Sequence, residues 1–351
     1  MYPLQTALTA ERDFAPGVIS GLMLKNGKLS LYAFEDLFMA DSLSRYKISL
    51  STTYGEDEYG VVDFGTDAAY VSIQQRPDNC IFVETHDNDS VTIAADLVPT
   101  LKGWISFDIW PTRFWPTSGN VITTLYGADG SSITFPLSAS DYKSPAVKKA
   151  GDKSLSAPGG RPYFSSYLTS NIYVPSEAIP ESEQRWWPIR LLFRPAYVAG
   201  SLDGSVCREI EDPDGTPVFA RRFEIRVHQL ETYIRALRFK ALLGEALSRP
   251  VELTAESWDA LTVDARSTNL SRVGIQLRAA DTKDALLKTE WHGPSPANPY
   301  FINPAEPAQV PQALARRKFL QVRLLLKTEH DAPFDETPEV SAVLISQKEA
   351  R

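Results

Sequence analysis

Four tryptophans lie beside prolines at the edges of two predicted strands. They are Trp110, Trp115, Trp186 and Trp187. An exposed indole ring offers a flat apolar face on which the C–H face of a sugar can stack. The same ring is also enriched in protein cores and in subunit contacts. The sequence therefore makes these four residues candidates for carbohydrate or partner contact, with core or interface packing as the favoured alternative.

Acidic side chains raise the possibility of a second chemistry, the cleavage of glycosidic bonds. That reaction needs two carboxyl groups about 5–9.5 Å apart, one to protonate the leaving oxygen and one to act as base or nucleophile. The acidic runs are Glu56-Asp57-Glu58 and Asp87-Asn88-Asp89, in turn-like settings where solvated acids are ordinary, while Asp108 and Glu224 lie alone on strand faces. We therefore expect no catalytic residues.

Metal and cofactor motifs are missing from the sequence. The four histidines, His86, His228, His292 and His330, are far apart, and no HExxH, paired CxxC, GxSxG, Walker or Rossmann pattern occurs. Two turn-like runs offer oxygen atoms to calcium, Asp87–Asp89 and Asp212–Gly215, but neither has the twelve-residue loop pattern that calcium sites use. We expect no metal and no cofactor.

Composition indicates a folded protein with buried cores. Of 351 residues 43% are hydrophobic and 23% charged, and 36 basic against 44 acidic residues give a net charge of −8. The charge balance is acidic, and the basic stretch from Arg221 to Arg238 alternates with apolar residues as on a solvated strand face, so we expect no nucleic-acid partner. No apolar run approaches the ~18 residues of a membrane span, and we expect no membrane insertion. The only cysteines, Cys80 and Cys207, are compatible with two buried thiols or with one long-range disulfide.

Period-two alternation of apolar and polar residues is the dominant pattern in the chain. It places apolar side chains on one face of a β-strand. The strand-like runs include Tyr46–Leu50, Val91–Ile93, Trp104–Trp110, Ile189–Arg194 and Phe223–His228, and the turn signals are Lys25–Lys28, Ala128–Ser131, Leu202–Gly204 and Asp214-Gly215. Many short strands separated by Asn-Gly and Asp-Gly turns predict an all-β protein of sandwich or jelly-roll type, without long helices.

The length of the chain suits two domains. We predict a jelly-roll domain in residues 1–240 and a smaller β-sandwich domain in residues 251–351, with the boundary near Ala241–Pro250. Residues 138–170, rich in Ser, Pro, Gly and Lys, predict a long surface loop of the first domain. Six prolines between residues 294 and 312 predict a second extended loop.

Three segments of the first domain form a recognisable order of parts. Gly103–Phe135 supplies an aromatic and apolar strand with a hairpin, Trp187–Phe193 supplies a further strand, and Ser201–Ser205 supplies a turn containing Asp-Gly. This order resembles the concanavalin-like, or laminin-G-like, jelly rolls over about half of the domain. The resemblance implies a jelly-roll fold.

The second domain carries a more specific set of segments. They are Trp258, the strand Val273–Thr282, Glu290-Trp291, Lys318–Leu324 and Thr337–Val340. Together they resemble a β-sandwich module that recurs in phage tail and fibre proteins and in some bacterial surface proteins. The polar turn after Asp281 and the proline-rich loop before Lys318 are longer than in the usual form. The resemblance implies an accessory or structural domain and brings no catalytic residues.

These observations favour a non-enzymatic structural component of a phage virion, such as a tail, fibre, neck or decoration protein. Its expected partners are other virion proteins and further copies of itself, and a cell-surface glycan is an additional candidate. A lectin-like carbohydrate-binding module is the alternative function, and a glycan-active hydrolase or lyase is the second alternative. The first residues lack the basic-then-apolar layout of an export signal, which a secreted lectin normally needs. A virion protein reaches the outside by lysis.

Overall fold

The computed structural model describes residues 4–16, 20–36, 47–52, 70–74, 79–85, 89–114, 120–138, 146–148, 154–156, 186–195, 197–202, 205–211, 218–228, 230–302 and 306–348. These residues are almost all β, which confirms the predicted fold class. They divide into two compact units. The central unit is Phe34–Phe239, and the terminal unit combines Met1–Ala33 with Lys240–Arg351.

The described strands range from two to 12 residues and are numbered along the chain. The first group is β1 (Leu4–Thr9), β2 (Phe14–Pro16), β3 (Leu22–Lys25) and β4 (Lys28–Leu31). The second is β5 (Ala33–Asp36), β6 (Lys47–Thr52), β7 (Tyr70–Gln74), β8 (Cys80–Glu84), β9 (Asp89–Thr100), β10 (Gly103–Phe114), β11 (Asn120–Gly127), β12 (Ser132–Ser138), β13 (Ala146–Lys148), β14 (Ser154–Ser156), β15 (Trp187–Arg194), β16 (Tyr197–Leu202), β17 (Ser205–Glu211), β18 (Ala220–His228) and β19 (Leu230–Ala241). The third is β20 (Leu243–Ser248), β21 (Val251–Glu252), β22 (Ser257–Arg266), β23 (Ser271–Ala280), β24 (Phe301–Ile302), β25 (Ala308–Gln309), β26 (Phe319–Thr328) and β27 (Glu339–Lys348). The helices are single turns, α1 (Ala10–Asp13), α2 (Lys283–Leu286) and α3 (Gln312–Ala315).

The central unit consists of two antiparallel sheets. In the front sheet the strand order is β17-β16-β15-β10-β19-β8-β7, and β5 also pairs with β19. In the back sheet the order is β14-β13-β12-β11-β18-β9-β6. Among the described strands the chain passes from the back sheet to the front sheet four times, from β6 to β7, from β9 to β10, from β14 to β15 and from β18 to β19.

Alternation along β10 separates the core of the central unit from its surface. Ile105, Phe107 and Ile109 are at most 1% exposed, whereas Ser106 and Asp108 between them are partly exposed. Successive side chains of a strand point to opposite faces, so the first three lie between the sheets. Each fully buried apolar side chain of this size contributes about 1.5–3 kcal/mol. The same core holds phenylalanines from both sheets: Phe107, Phe135, Phe193, Phe223 and Phe239.

The terminal unit is a second sandwich. One of its sheets has the order β25-β22-β27-β4-β3, with β1 also on β27, and the other has the order β2-β20-β26-β23-β24, with β21 also on β26. Residues from both sheets form one hydrophobic core. Those at 0% exposure include Leu8, Leu31, Val273, Ile275, Leu277, Val322, Leu324, Leu326, Val340, Val343 and Ile345.

The first strands of the chain differ in their placement from the predicted division at residue 240. Leu4–Thr9 pairs antiparallel with β27, and β4 pairs with the beginning of the same strand. Leu8 and Leu31 are fully buried in the core of the terminal unit. The N-terminal segment therefore completes the sandwich made by the C-terminal third of the chain. Alternation along a short strand determines which of its faces is buried, but it does not determine which strand lies beside it.

The predicted domain boundary near residues 241–250 contains a strand of the terminal unit. Leu243–Ser248 forms β20, which pairs with β26. Its second residue, Gly244, lies so close to Leu22 that a Cβ atom at 244 would overlap the Leu22 side chain and would lie 3.1 Å from the carbonyl oxygen of Gly21. Close approach of a second backbone is one of the reasons a strand contains glycine. In the sequence this glycine is typical of a loop, whereas in the fold it allows β20 to pack closely against Leu22 of β3.

Turn chemistry explains the two best-described hairpins. Asn26 and Gly27 have φ angles of +51° and +74°, as required in the two-residue turn between β3 and β4. Gly130 has a φ angle of +80° in the turn between β11 and β12, where the backbone N–H of Ser131 donates to Asp129 Oδ1 at 3.0 Å. The hydroxyl group of Ser131 donates to the same oxygen, and together the hydroxyl and backbone hydrogen bonds from Ser131 hold the pKa of Asp129 below its ordinary value. Both turns agree with the sequence prediction.

The predicted surface loops are described in part. Within residues 138–170, β13 and β14 extend the back sheet beyond β12. Within residues 294–312, the two-residue strands β24 and β25 and the start of α3 interrupt an otherwise irregular path. The turn residues Asp203, Gly204, Asp214 and Gly215 lie outside the described residues. So does the side chain of Cys207, whereas Cys80 is fully buried in β8.

Asp13, the last residue of α1, makes contacts that hold this turn in place and make the stability of the terminal unit depend on pH. Its Oδ2 accepts from the backbone N–H of Thr9 at 2.8 Å, and its Oδ1 lies 2.6 Å from Arg249 Nε. Burial by itself raises the pKa of Asp13, but the hydrogen bonds from Arg249 and Thr9 outweigh it and leave the pKa lowered. A lowered folded-state pKa stabilises the fold above the unfolded pKa of about 3.9, and this contribution disappears as the pH falls through the folded value.

An Asp13→Asn substitution is therefore expected to cost about 1 kcal/mol of unfolding free energy at pH 7. The cost should shrink at pH 3, where the wild-type carboxyl group is becoming protonated. Urea unfolding of both proteins at the two pH values measures it. Asp264→Asn, at an exposed position of β22, is the control. An equal cost at both pH values would contradict the assignment.

Candidate functional site

The outward face of the front sheet collects aromatic and charged side chains on adjacent strands. On β10 the residues that alternate with the buried core positions are Asp108, Trp110 and Thr112, and all three are partly exposed. On β19 the corresponding outward residues are Glu231, Tyr233 and Arg235, again partly exposed. Since β10 and β19 are neighbours, these six side chains share one face.

Two side-chain contacts fix the alignment of β10 with β19. Thr112 Oγ1 donates to Glu231 Oε1 at 2.7 Å, and Arg235 Nε donates to Asp108 Oδ2 at 3.0 Å. The two contacts are separated by four residues on each antiparallel strand. Trp110 therefore lies level with Tyr233, midway between them.

Aromatic residues continue this line onto the strands on either side. Phe82 on β8 is the cross-strand partner of Tyr233, and their ring centroids are 4.9 Å apart. On the other side Trp186, immediately before β15, meets the ring of Trp110 edge-on at 5.5 Å with an interplanar angle of 86°. Both distances fall in the range of favourable aromatic pairs. Phe82, Tyr233, Trp110 and Trp186 form what we call the aromatic row.

Arg235 connects the aromatic row to a charged pair. Its guanidinium carbon lies 4.1 Å from the ring centre of Trp186, within the range of a cation–π contact, while its Nε pairs with Asp108. The side chains of Arg235 and Asp108 are 26% and 25% exposed, so both can reach a bound molecule. The pairing with Asp108 holds the guanidinium in place beside the rings.

Two carboxylates border the row on its other side. Glu231 and Glu84 are cross-strand partners on β19 and β8, and both are partly exposed. Like charges directly opposite each other destabilise a sheet, so this pair costs the fold some stability. Thr112 holds Glu231 through its hydroxyl group. The row is thus bordered by one arginine–aspartate pair and by two acceptors of hydrogen bonds.

The structure places the four predicted tryptophans differently from one another. Trp110 and Trp186 come together in the aromatic row. Trp187 points the other way: it is 3% exposed and continues the buried positions Ile189 and Leu191 of β15. A ring with that burial packs in the core and offers no face to a ligand, which is the packing alternative that the sequence left open. Trp115 lies outside the described residues.

The remaining members of the site were not singled out from the sequence. Tyr233 and Arg235 lie in β19 and Phe82 lies in β8, and the sequence indicated no candidate site in either strand. The available signal was the alternation of Glu231, Tyr233 and Arg235 on one strand face. That alternation indicates a shared face and cannot indicate which strand lies beside it.

The lone acids of the sequence analysis are engaged in ion pairs. Asp108 binds Arg235, and Glu224 lies 3.1 Å from Arg222 Nε and accepts from the hydroxyl group of Tyr126 at 3.0 Å. Burial, together with this bond to Glu224, raises the pKa of Tyr126. The runs at 56–58 and 87–89 fall outside the side chains that the structure describes. Glu224 therefore forms polar contacts with neighbouring side chains on the surface of the back sheet.

The described residues contain no candidate metal centre. In that part of the chain no three His, Cys, Asp or Glu side chains come together in a way that would hold a metal ion. None of the described helices has the length and apolar character needed to cross a membrane.

Comparison with known proteins gives similarity of structure only. No protein-family model and no curated protein sequence matches the chain. A Bacillus subtilis protein of unknown function with a galectin-like fold is similar over 62% of this chain and 98% of its own, with 12% identity and a TM-score of 0.39. The Crh5 transglycosylase in complex with NAG covers 60% and 84% at 11% identity and a TM-score of 0.36. The carbohydrate-binding module CBM66 from Bacillus subtilis covers 49% and 92% at 8% identity and a TM-score of 0.31. At these values the similarity is limited to the general all-β architecture.

Proposed function

We propose that the central unit is a carbohydrate-binding module and that the aromatic row is its binding surface. One observation carries the proposal: four partly exposed aromatic side chains lie in line across adjacent strands of one sheet face, with charged groups on both sides. Sugars combine apolar C–H faces with many hydroxyl groups. A flat aromatic surface bordered by fixed donors and acceptors matches both properties.

The dimensions of the row favour an oligosaccharide over a single sugar. Strands in a sheet are about 4.8 Å apart, so a row that crosses from β8 to the start of β15 spans about 14 Å. Tyr233 and Trp110 lie in its middle. A chain of sugar units lying across the strands contacts several rings in succession. One face of the Trp186 ring is in contact with Arg235.

The charged groups provide orientation. The positive charge of Arg235 attracts the electronegative ring or hydroxyl oxygens of a sugar, and Glu231 offers an acceptor on the opposite side of the row. Hydrogen bonds between ionised side chains and a neutral ligand are stronger than neutral pairs, and they fix which hydroxyl groups fit. Specificity for a particular sugar then depends on these two borders.

Removal of a central ring is expected to weaken glycan binding strongly. Trp110→Ala and Tyr233→Ala should each weaken the affinity for a glycan identified on an array roughly tenfold or more, because each removes about 1.5–3 kcal/mol of apolar contact. Isothermal titration calorimetry with the purified protein measures it. Tyr300→Ala, at a partly exposed tyrosine of the terminal unit, is the matched control and should bind normally.

Circular dichroism and thermal melting of each variant exclude loss of fold as the cause. The proposal is wrong if no glycan binds, or if a glycan binds equally well to wild type and to a folded Trp110→Ala protein. A virion role stays a prediction alongside this proposal, since a glycan-binding surface would serve host attachment. Portal, tail-tube or tape-measure genes on either side of this gene would support it.

Glycan hydrolysis is a second candidate, favoured by a single feature of the same face. Glu231 and Glu84 are direct cross-strand partners, and such partners have Cβ atoms about 4.5–5.5 Å apart. Retaining glycosidases use two carboxyl groups about 5–5.5 Å apart. Incubation of the bound glycan with the wild-type protein and analysis of the products separates the two functions: release of shorter sugars favours hydrolysis, and recovery of intact glycan favours binding.

A further inference from the structure

Arg278 of the terminal unit is a buried cation without an acidic partner among the described residues. The residue is 7% exposed and lies on β23. Its Nε and Nη2 donate to Gln321 Oε1 at 2.8 and 2.6 Å, and its Nη1 donates to the carbonyl of Leu287 at 3.3 Å. All of these acceptors are neutral. A buried charge with only neutral partners is costly, and proteins seldom keep one without a use.

A second arginine and a tryptophan stand beside it. The guanidinium carbon of Arg278 lies 4.5 Å from the ring centre of Trp291, and that of Arg323 lies 5.8 Å from the same ring. The Arg323 side chain is 22% exposed, so solvent reaches this cluster at Arg323. Repulsion by Arg323 adds to burial in lowering the pKa of Arg278. The fold thus holds two like charges together on one sheet face.

One carboxylate compensates for only part of this charge. Glu245, 3% exposed, has its Oε1 2.8 Å from Arg323 Nε. The Arg323 Nε–H finds no aligned hydrogen-bond acceptor in the described part of the chain, so the contact is an ion pair with poor hydrogen-bond geometry. Arg323 Nη1 donates to Gln276 Oε1 at 3.1 Å. Two cations and one anion leave the cluster with a net positive charge.

Neutral side chains hold the two arginines in position. Gln321 Nε2 donates to the carbonyl of Ser248 at 2.7 Å, and Gln276 Nε2 donates to the carbonyl of Pro299 at 2.9 Å. Each amide is thereby turned so that its oxygen faces an arginine. An amide fixed in this way positions the guanidinium without neutralising it. The cluster is preorganised, which lowers the entropic cost of binding a ligand.

We propose that Arg278, Arg323 and Trp291 form a binding site for a small oxyanion, that is, a carboxylate, sulfate or phosphate group. Arginine guanidinium groups match the paired oxygens of such anions, and both guanidinium groups lie against the ring of Trp291. The bound anion takes the place of the missing negative charge. The site is independent of the aromatic row and of the proposed glycan binding.

Titration with three probes tests the proposal. Sodium acetate, sulfate and phosphate are added to the full-length protein at constant ionic strength made up with chloride, and binding is followed by calorimetry and by Trp fluorescence. We expect at least one of the three to bind saturably. Arg323→Gln should weaken binding roughly tenfold or more, since a charge-assisted pair of hydrogen bonds is lost.

A variant that is expected to bind the anion more tightly than the wild type makes the test independent of folding defects. Glu245→Gln removes the anion that competes for Arg323 and should tighten binding about threefold or more. Arg272→Gln, at an exposed arginine on the same strand as Arg278, is the matched control and should leave the affinity for the anion unchanged. Failure of all three anions to bind, or equal affinities for wild type, Arg323→Gln and Glu245→Gln, overturns the proposal. The anion that binds most tightly identifies the class of ligand.

Discussion

Lys240→Ala is expected to lower the unfolding free energy of the terminal unit by about 4 kcal/mol. Lys240 is 0% exposed, and its ammonium group donates to the backbone carbonyls of Pro333 and Glu336. Truncation to alanine leaves a cavity where the stem lay, which costs about 2–5 kcal/mol for a side chain of this length. It also leaves two buried carbonyls without their donor, at about 1–3 kcal/mol each where water cannot replace it. Relief of the buried charge offsets part of this sum.

Hydrogen exchange of the peptides that cover β20 and β26 measures this effect within the terminal unit. Lys240→Met keeps the volume of the stem and removes only the ammonium group, so its cost should be about half as large. Lys327→Ala, at a half-exposed lysine that pairs with Glu329, is the control and should cost less than about 0.5 kcal/mol. If Lys240→Ala is no worse than Lys327→Ala, the two carbonyl contacts do not stabilise the fold.

Gly200→Ala is expected to destabilise the central unit by about 3 kcal/mol. Gly200 lies in β16 of the front sheet, opposite Leu191 of β15. A Cβ atom at this position would overlap the ring of Phe135, which is 1% exposed and belongs to the back sheet. The ring cannot move away, because protein cores are packed as densely as organic crystals. Overpacking of this kind costs about 1–3 kcal/mol and sometimes more.

A second substitution turns this prediction into a test of the contact between the two sheets. Phe135→Leu shortens the side chain that the new methyl group meets, so Gly200→Ala should cost much less in that background. The coupling energy should exceed about 1 kcal/mol, as expected for residues in contact. Gly274→Ala is the matched control, since its methyl group would meet neighbours at 3.5 Å or more. Additive effects of Gly200→Ala and Phe135→Leu would contradict the packing.

The local parts of this fold could be read from the sequence. Alternation at residues 104–110 and 223–228 predicted strands because a buried face imposes a period of two wherever it occurs. The Asn26-Gly27 and Asp129-Gly130 turns were predictable for a similar reason, since few residues other than glycine and asparagine adopt a positive φ angle. An all-β sandwich follows from these two rules alone.

The candidate sites depended on contacts between distant parts of the chain. Phe82 and Tyr233 meet only because β8 pairs with β19, and Trp110 meets them only because β10 lies on the other side of β19. Arg278 and Arg323 are likewise neighbours through the pairing of β23 with β26. A period of two specifies which face a side chain occupies and carries no information about the neighbouring strand.

The adjacent tryptophans make the division between sequence and structure clear. Successive residues of a strand point to opposite faces, so the sequence determined that Trp186 and Trp187 would be separated. Which of the two enters the core was decided by tertiary packing, because both are equally apolar and a shift of one residue in register exchanges their faces. In the same way, local strand propensity favours β1 to β4 as strands. Their partners were decided by the rest of the terminal unit, where β1 and β4 pair with β27 and β2 pairs with β20. Local chemistry limits each segment to a few backbone shapes, whereas partners are chosen by burial, which is a property of the whole fold.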